Sequence, residues 1–194
     1  MDPTLTTKGT LIRQVAADLE RDEGFREFAY PDVLKPLHRR YPRERWGFRP
    51  AREILAEIGV KYEVALRDGA PWTYGHGFTM GGNPDSRIEY TRSLRKLETH
   101  ILEEDAKLSR VLSWYATAPF VVKTVLINMS FNMGIAGLLG FRNTLAYMKA
   151  GEWSKAAANM RRSLWYRQVP KRAEYLARRI ETQTIAPGHV RKDA

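Results

Sequence analysis

The sequence predicts an α+β protein that is mostly α, with a helical C-terminal lobe, a small mixed lobe near residues 25–90 and a cleft where the lobes meet. Three observations support this class. Apolar residues recur three and four positions apart over most of the chain, which is typical of helices that bury one face. Two short stretches alternate with period two, as strands do, and no tract of low complexity interrupts the pattern.

Two helices are predicted in the first third of the chain. The first runs from about Thr10, which can cap its start, to Glu23, and Gly24 can take the left-handed conformation that ends a helix. A short second helix is predicted over 50–58, because Pro favours the first position of a helix and Gly59 favours a stop. The inward face of the first helix is formed by Leu11, Ile12, Val15 and Leu19.

The stretches of period two predict two short strands, which would give the small lobe a hairpin or sheet. Apolar positions alternate with charged or small ones over 60–67 and again over 72–78, and the two stretches are joined near Asp68. For the first stretch the end of a helix, EVALRDG, is an equal alternative.

The chain from residue 91 to 184 is predicted to form a connecting helix and a helical lobe. A helix opened by Pro119 and stopped by Gly134 is apolar on every face, so it is predicted to lie in the core. The segment 185–194 is predicted to be a frayed tail. The predicted helices of this region are 91–114, 119–134, 143–150, 152–162 and 170–182.

The composition narrows the chemistry and the partners. The chain has no Cys and 4 scattered His, which excludes a disulfide scaffold and a Cys nucleophile and argues against metal catalysis, so no metal or other cofactor is expected. A net charge of +10 favours a polyanionic partner: nucleic acid, an anionic membrane surface or a charged cell-wall polymer. There is no export signal, and no apolar run approaches the roughly 18 to 20 residues that a membrane span needs.

Two carboxyl groups, Glu23 and Asp32, are candidates for cleaving a glycosidic bond. Such cleavage normally uses one protonated carboxyl that donates to the leaving oxygen and one ionised carboxyl that activates water or attacks the sugar. Glu23 falls at the C-terminal end of the first helix, where the helix dipole should raise the pKa of its carboxyl, as a general acid requires. By spacing alone, a solvated helix end and a turn residue beside Pro31 explain the pair better, because the chain has 22 acidic residues.

Four separated blocks place this pair in a wider pattern: DEGFREFAYPD, PWTYGHGFT, INMSFNMG and SLWYRQVPKRAEYLARR. In this order they resemble the signatures of phage-type lysozymes, the endolysins of glycoside hydrolase family twenty-four. The resemblance covers about 18–32, 72–79 and 90–184. It implies a lysozyme-like fold of two lobes, with the whole chain 1–194 as a single domain.

The same resemblance implies catalytic roles for three residues. Glu23 would be the general acid, and Asp32 and Thr73 would hold the attacking water. Thr73 makes sense chemically as well, because a hydroxyl beside a carboxylate gives a water a second orienting group.

The resemblance also implies substrate-binding and acid-positioning residues. Arg172 would pair with the catalytic Glu, with plain surface charge as the alternative, and His76 would help to position the acid, with a plain strand residue as the alternative. Asn128 and Asn132 lie four residues apart on a helix otherwise too apolar to face water, and Asn128 suits internal structure and a cleft equally. The substrate-binding candidates are Asn132, Phe141, Gly77 and Phe78, the last standing where the family usually has a His.

An insertion at about 33–71 separates Asp32 from Thr73, where the family usually has a short turn. Between Lys35 and Arg52 it holds seven basic residues and one acid, interleaved with aromatic residues. This composition suits nucleic-acid binding, contact with anionic lipopolysaccharide or the carboxylates of peptide stems, an extension of the cleft wall, or a solvated loop with a short helix. The aromatic residues are Tyr41, Trp46 and Phe48.

The predicted function is that of a muramidase, which cleaves the β-1,4 bond between N-acetylmuramic acid and N-acetylglucosamine in bacterial peptidoglycan during phage lysis. The enzyme is expected to be a monomer without a membrane span or a nucleic-acid partner. It would wait in the host cytoplasm and reach the periplasm or cell wall through a holin lesion, or arrive in a virion. The alternatives are a lytic transglycosylase and a basic helical protein that binds nucleic acid.

Overall fold

Two compact units make up the protein in the computed structural model, which describes the backbone of residues 3–31, 37 and 41–184 and the side chains from residue 8 onward within those ranges, except that of residue 43. One unit takes the chain up to Asp22 and again from Glu98 onward, and the other is Glu23–Leu97. The predicted single domain, its internal boundaries and the predicted cleft stay predictions.

The predicted class, α+β and mostly α, is confirmed, because helices dominate the described residues and their one sheet has two strands. Short 3-10 turns lie at Arg43–Arg45 and Tyr115–Thr117. In chain order the elements are α1 (Pro3–Glu23), β1 (Arg26–Tyr30), α2 (Ala51–Glu57), α3 (Tyr62–Asp68), β2 (Thr73–Gly75), α4 (Tyr90–Val111), α5 (Phe120–Leu139), α6 (Arg142–Lys149), α7 (Trp153–Arg161), α8 (Leu164–Gln168) and α9 (Pro170–Thr182).

The first unit is built around α5. This helix begins after Pro119, as predicted, and Gly134 interrupts its geometry with a φ of 73° before the helix resumes. By length and composition alone α5 could cross a membrane, which the sequence analysis missed, but 56% of its most apolar stretch is buried inside the protein, as in a core helix. Helix α9 packs against α5, α7 and α8. The short α8, capped by the Ser163 hydroxyl, was not predicted.

The second unit contains the sheet. Strand β1 runs antiparallel to β2, with Arg26 opposite Gly75 and Tyr30 opposite Thr73. The prediction of a strand near 72–78 is therefore confirmed over Thr73–Gly75, but its partner is β1, which the sequence analysis missed.

The predicted strand over 60–67 is wrong, and the helical alternative is correct. Residues Tyr62–Asp68 form α3, in which the buried side chain is Ala65, while Val64 and Leu66 are exposed. The alternation of apolar residues misled because it did not mark a buried face.

The described part of the insertion folds around two buried indoles. Trp46 and Trp72 are fully buried, and their ring centres lie 5.9 Å apart. Each indole N–H donates to a backbone carbonyl of the insertion, Trp46 to Tyr41 at 3.3 Å and Trp72 to Ala65 at 3.2 Å. The described part of the insertion therefore contains a packed subcore and is not a solvated loop. The buried cluster is Ala29, Leu37, Tyr41, Trp46, Ala51, Ile54, Leu55, Ala65 and Trp72.

Candidate active site

Glu23 is the last residue of α1, and its carboxyl lies against the turn that follows β2. Gly24 takes a φ of 65° and ends the helix, as predicted, so that the chain can turn into β1. A Cβ placed on Gly77 would lie only 3.2 Å from Glu23 Oε2. Because Gly77 also has a φ of 85°, a side chain at this position would be strained and would press on the carboxyl.

The turn itself is closed by reciprocal backbone hydrogen bonds. The Tyr74 N–H donates to the Phe78 carbonyl at 3.0 Å, and the Phe78 N–H donates to the Tyr74 carbonyl at 2.9 Å. Thr73 lies at the start of β2, opposite Tyr30 of β1. The structure thus brings Glu23 and Gly77 into contact and places both near the strand that carries Thr73. Asp32 lies outside the described residues.

His76 is buried in the middle of this turn. Its backbone N–H donates to Ser93 Oγ at 3.2 Å, and its Nδ1 lies 2.8 Å from the same oxygen. The imidazole packs on the rings of Phe25 and Tyr90, with centres 5.3 and 5.6 Å away. The turn is thereby tied both to α4 and to the residue two positions after Glu23.

The Ser93 hydroxyl holds both the backbone and the ring of His76. Its oxygen accepts the backbone N–H and also forms a hydrogen bond with Nδ1 of the imidazole. Ser93 is fully buried, and a Cβ on Gly75 would lie 2.5 Å from its hydroxyl. The sequence analysis missed Ser93. Its signal was a polar residue one turn before Leu97 on an apolar helix face.

Phe78 is buried at the end of the turn. The ammonium of Lys96 lies 4.3 Å from its ring centre, and the Lys96 Nζ donates to the Tyr74 hydroxyl at 3.0 Å. The predicted substrate contact of Phe78 stays a prediction.

In the first unit, Arg172 is buried and lies beside the carboxylate of Asp22, the residue that precedes Glu23. Arg172 Nε is 3.2 Å from Asp22 Oδ2, and Asn128 Nδ2 donates to the same oxygen at 3.1 Å. Asn128 therefore serves internal structure, one of its two alternatives. The alternative of plain surface charge for Arg172 is wrong, since the side chain is 7% exposed. Its predicted pairing with Glu23 stays a prediction.

Asn132 and Phe141 lie around the indole of Trp165, also in the first unit. The Trp165 N–H donates to Asn132 Oδ1 at 2.7 Å, and the Phe141 ring meets the indole edge-on with centres 5.9 Å apart. A pocket of about 480 Å³ opens beside them. It is lined by Gly140, Phe141, Arg142, Asn143, Asn159, Arg162, Ser163, Leu164 and Trp165.

The arrangement offers acid–base chemistry. Within the ranges that the structure describes, no group of three His, Asp or Glu side chains is placed to hold a metal ion. The second unit brings together the carboxyl of Glu23 at a helix end, Thr73 in a strand and Gly77, which has no side chain where the carboxyl touches the turn. Such an arrangement is suited to proton transfer to a bound substrate.

No model of a protein family matches the chain, but comparisons with known proteins found relatives. The chain is 32% identical over 87 residues to probable T4-type lysozyme 1 of Dictyostelium discoideum, covering 45% of this chain and 49% of that protein. It is 33% identical over 63 residues to probable T4-type lysozyme 2 of the same organism, covering 32% of this chain and 37% of that protein.

The longest of these alignments is to the pre-baseplate central spike protein Gp5 of Enterobacteria phage T4. It is 29% identical over 173 residues, which is 88% of this chain and 28% of the spike protein. The chain thus spans half or less of the length of each of these relatives. The matches thus show similarity to proteins named T4-type lysozymes and to a phage spike protein, in agreement with the resemblance that the four motifs carry.

Proposed function

We propose that the protein is a muramidase of bacterial peptidoglycan in which Glu23 is the general acid. The observation that carries the proposal is the contact of the Glu23 carboxyl with Gly77, in the turn that directly follows the strand of Thr73. The relationship to T4-type lysozymes supports a glycoside hydrolase, and the four motifs that carry the resemblance include all three proposed catalytic residues.

The proposed reaction is hydrolysis. The Glu23 carboxyl gives its proton to the glycosidic oxygen as the bond from that oxygen to the anomeric carbon breaks. A water bonds to the anomeric carbon and loses a proton to the carboxylate of Asp32, while the Thr73 hydroxyl helps to aim the water's lone pair. The products are two shorter glycans, one with a new reducing end.

The pairing of the strands supports the partnership of Asp32 and Thr73. Tyr30 lies opposite Thr73, and Asp32 follows Tyr30 by two residues. In sequence, the proposed carboxylate is thus only two residues away from the strand residue that pairs with Thr73.

The remaining candidates support the acid or bind the substrate. We assign to His76 the positioning of the turn that touches Glu23, through its bonds to Ser93 and its packing on Phe25. We propose that Arg172 positions the acid through the carboxylate of Asp22, the residue before Glu23. The proposed substrate contacts are Gly77, Phe78, Asn132 and Phe141.

The test is lysis of permeabilised Gram-negative cells and release of reducing ends from purified peptidoglycan. We expect Glu23→Gln to keep the circular dichroism spectrum of the wild type and to lose activity, because the amide has no acidic proton. Glu63→Gln, at an exposed carboxyl of the same unit, is the matched control and should remain active. Activity retained in Glu23→Gln would overturn the acid assignment, and anhydro-sugar ends in place of reducing ends would identify a lytic transglycosylase.

The setting in which the enzyme acts is proposed from the relative with the longest alignment. Because 88% of this chain aligns with a spike protein of a phage, we propose a role on a virus particle. Mass spectrometry of purified particles from the source should then detect the chain, whereas its presence only in the soluble fraction of lysed host cells would favour release through a holin lesion.

A further inference from the structure

An exposed phenyl ring and a guanidinium stacked on it lie in the same unit as the proposed acid. Phe48, in the insertion, is 60% exposed, and the guanidinium carbon of Arg26, in β1, lies 4.0 Å from its ring centre. Gly47 makes this stacking possible. It has a φ of 86°, and a Cβ on it would lie 2.7 Å from Arg26 Cδ, so any other residue would push the arginine away.

The pair is held in place by the strand. The Phe28 N–H donates to the Gly47 carbonyl at 3.0 Å, which ties the insertion to β1. Trp46, the residue before Gly47, is fully buried in the indole subcore. The Phe48 ring is therefore presented by a rigid segment, and its exposure is not a property of a loose loop.

Arg26 differs from the other arginines that stack on rings in this unit. Each of those also pairs with a carboxylate, whereas Arg26 has no carboxylate within ion-pair distance among the residues that the structure describes. A guanidinium without a counter-charge, flattened on an aromatic ring, is suited to a ligand that carries a carboxylate and an apolar part. The paired arginines are Arg49 with Glu57, Arg52 with Asp85 and Arg87 with Glu27.

The location fits a substituent of the glycan. Arg26 follows Glu23 by three residues, so chain length keeps their Cα atoms within about 11 Å. Arg26 also lies opposite Gly75, two residues before the Gly77 that touches the Glu23 carboxyl. A group bound at Arg26 would thus lie beside the bond that Glu23 is proposed to cleave.

We infer that Arg26 and Phe48 form a subsite for the peptide stem of peptidoglycan, with the guanidinium holding a stem carboxylate through two parallel N–H···O hydrogen bonds and the ring covering the apolar side chains next to it. The inference rests on the proposed function and deepens it. It assigns to the insertion a role in recognising substrate and leaves the chemistry to Glu23.

The test compares native peptidoglycan with peptidoglycan whose stem carboxyls have been converted to methylamides. The wild type should lose roughly tenfold in kcat/KM on the amidated polymer, which corresponds to about 1.4 kcal/mol, because the uncharged amide cannot form the charge-assisted pair with the guanidinium. Arg26→Gln should show the same loss on native peptidoglycan and no further loss on the amidated polymer. Phe48→Ala should lower kcat/KM on both polymers. On native peptidoglycan, the kcat/KM of Arg26→Lys should lie between the values of wild type and Arg26→Gln.

Arg52→Gln is the matched control, since Arg52 also stacks on a ring, that of Tyr62, but is paired with Asp85. It should behave as the wild type on both polymers. Binding gives a readout that does not need catalysis: in the Glu23→Gln background, Arg26→Gln should reduce sedimentation with native but not with amidated peptidoglycan.

The outcomes separate this inference from the proposed function. If the wild type releases no reducing ends from either polymer, the muramidase proposal fails. If it does, but Arg26→Gln lowers activity equally on both polymers or on neither, the stem subsite is overturned and the muramidase proposal stands. The subsite is also overturned if Arg26→Gln, in the Glu23→Gln background, reduces sedimentation with amidated polymer as much as with native polymer.

Discussion

The two compact units place their charged side chains in opposite ways. All the buried Asp, Glu and Arg side chains among the described residues belong to the first unit: Asp18, Glu104, Arg172 and Arg179. The second unit buries indoles and keeps its charges at the surface, where they form exposed ion pairs such as Arg52 with Asp85. The two acidic and two basic residues buried in the first unit cancel formally, so the net charge of +10 is carried by the other residues of the chain.

The buried charges of the first unit form hydrogen-bonded groups. Arg179 pairs with Asp18 and also donates to the Thr124 hydroxyl at 2.8 Å. The Tyr175 hydroxyl donates to Asp18 at 3.0 Å, and burial raises the pKa of that tyrosine. Such groups are costly to desolvate and stabilise only when complete, so each member is expected to be sensitive to substitution.

The comparison teaches how to interpret a basic composition. A polyanion can meet arginines whose charge is not matched inside the protein, such as Arg26, which has no carboxylate within ion-pair distance among the described residues. The charge count alone treats it like Arg179, whose charge is matched inside the core by Asp18.

The largest expected effect is from breaking the buried pair. Asp18→Asn should lower the free energy of unfolding by about 3–5 kcal/mol, because it leaves the Arg179 charge buried without an ionised partner. Asp85→Asn, in the exposed pair of the second unit, should cost about 1 kcal/mol or less. Urea unfolding of both variants measures the contrast, and equal losses would contradict it.

A smaller loss of stability is expected from the glycine that presents the Arg26–Phe48 pair. Gly47→Ala should lower the free energy of unfolding by about 1–3 kcal/mol, since it combines a strained φ with a clash against Arg26. Gly59→Ala is the control, because Gly59 has a φ of 65° but open space around it, and should cost less. If the two variants unfold at the same urea concentration, Arg26 does not pack on Gly47 as described.

A still smaller loss of stability but a clear effect on activity is expected at Ser93. Ser93→Ala should cost about 1 kcal/mol of stability and lower kcat roughly tenfold with little change in KM, because the turn that contacts Glu23 loses its anchor. Ser109→Ala, on the exposed side of the same helix, should change neither quantity.

Variants of His76 sharpen this prediction. His76→Asn, whose side-chain amide can form a hydrogen bond with Ser93 as Nδ1 does, should retain more activity than His76→Leu. Equal activity of these two variants would argue against a role for the hydrogen bond.

The smallest effect concerns the acid stability of the first unit. Burial acts to raise the pKa of Glu104, but hydrogen bonds from Lys107 and Ser130 outweigh it and hold the pKa below its ordinary value of 4.5. A lowered folded-state pKa contributes stability that is present above pH 4.5 and is lost as the pH falls through the lowered value. The stability difference between wild type and Glu104→Gln, measured by urea unfolding, should therefore shrink on acidification.

Much of the helical framework could be predicted because its signals are local. Pro119, Gly24 and Pro170 act on the backbone next to them, and the bounds predicted for α9 agree with the structure. The helix α3 was mistaken for a strand, since alternating Val64 and Leu66 resemble a buried strand face until tertiary packing shows both exposed. Strand β1 was missed because its five residues, four half-buried and one fully buried, carry little periodic signal.

By itself the sequence determined most of the helices, the fold class and the chemical types at the candidate site, because caps, turns and periodicity act over a few neighbouring residues. Only the tertiary structure decided that Gly77 touches Glu23, that Ser93 anchors His76, that Arg172 meets Asp22 and that Arg26 stacks on Phe48. These contacts join residues far apart in the chain, and their partners are selected by packing and by the cost of leaving buried polar groups unpaired, neither of which a linear pattern records.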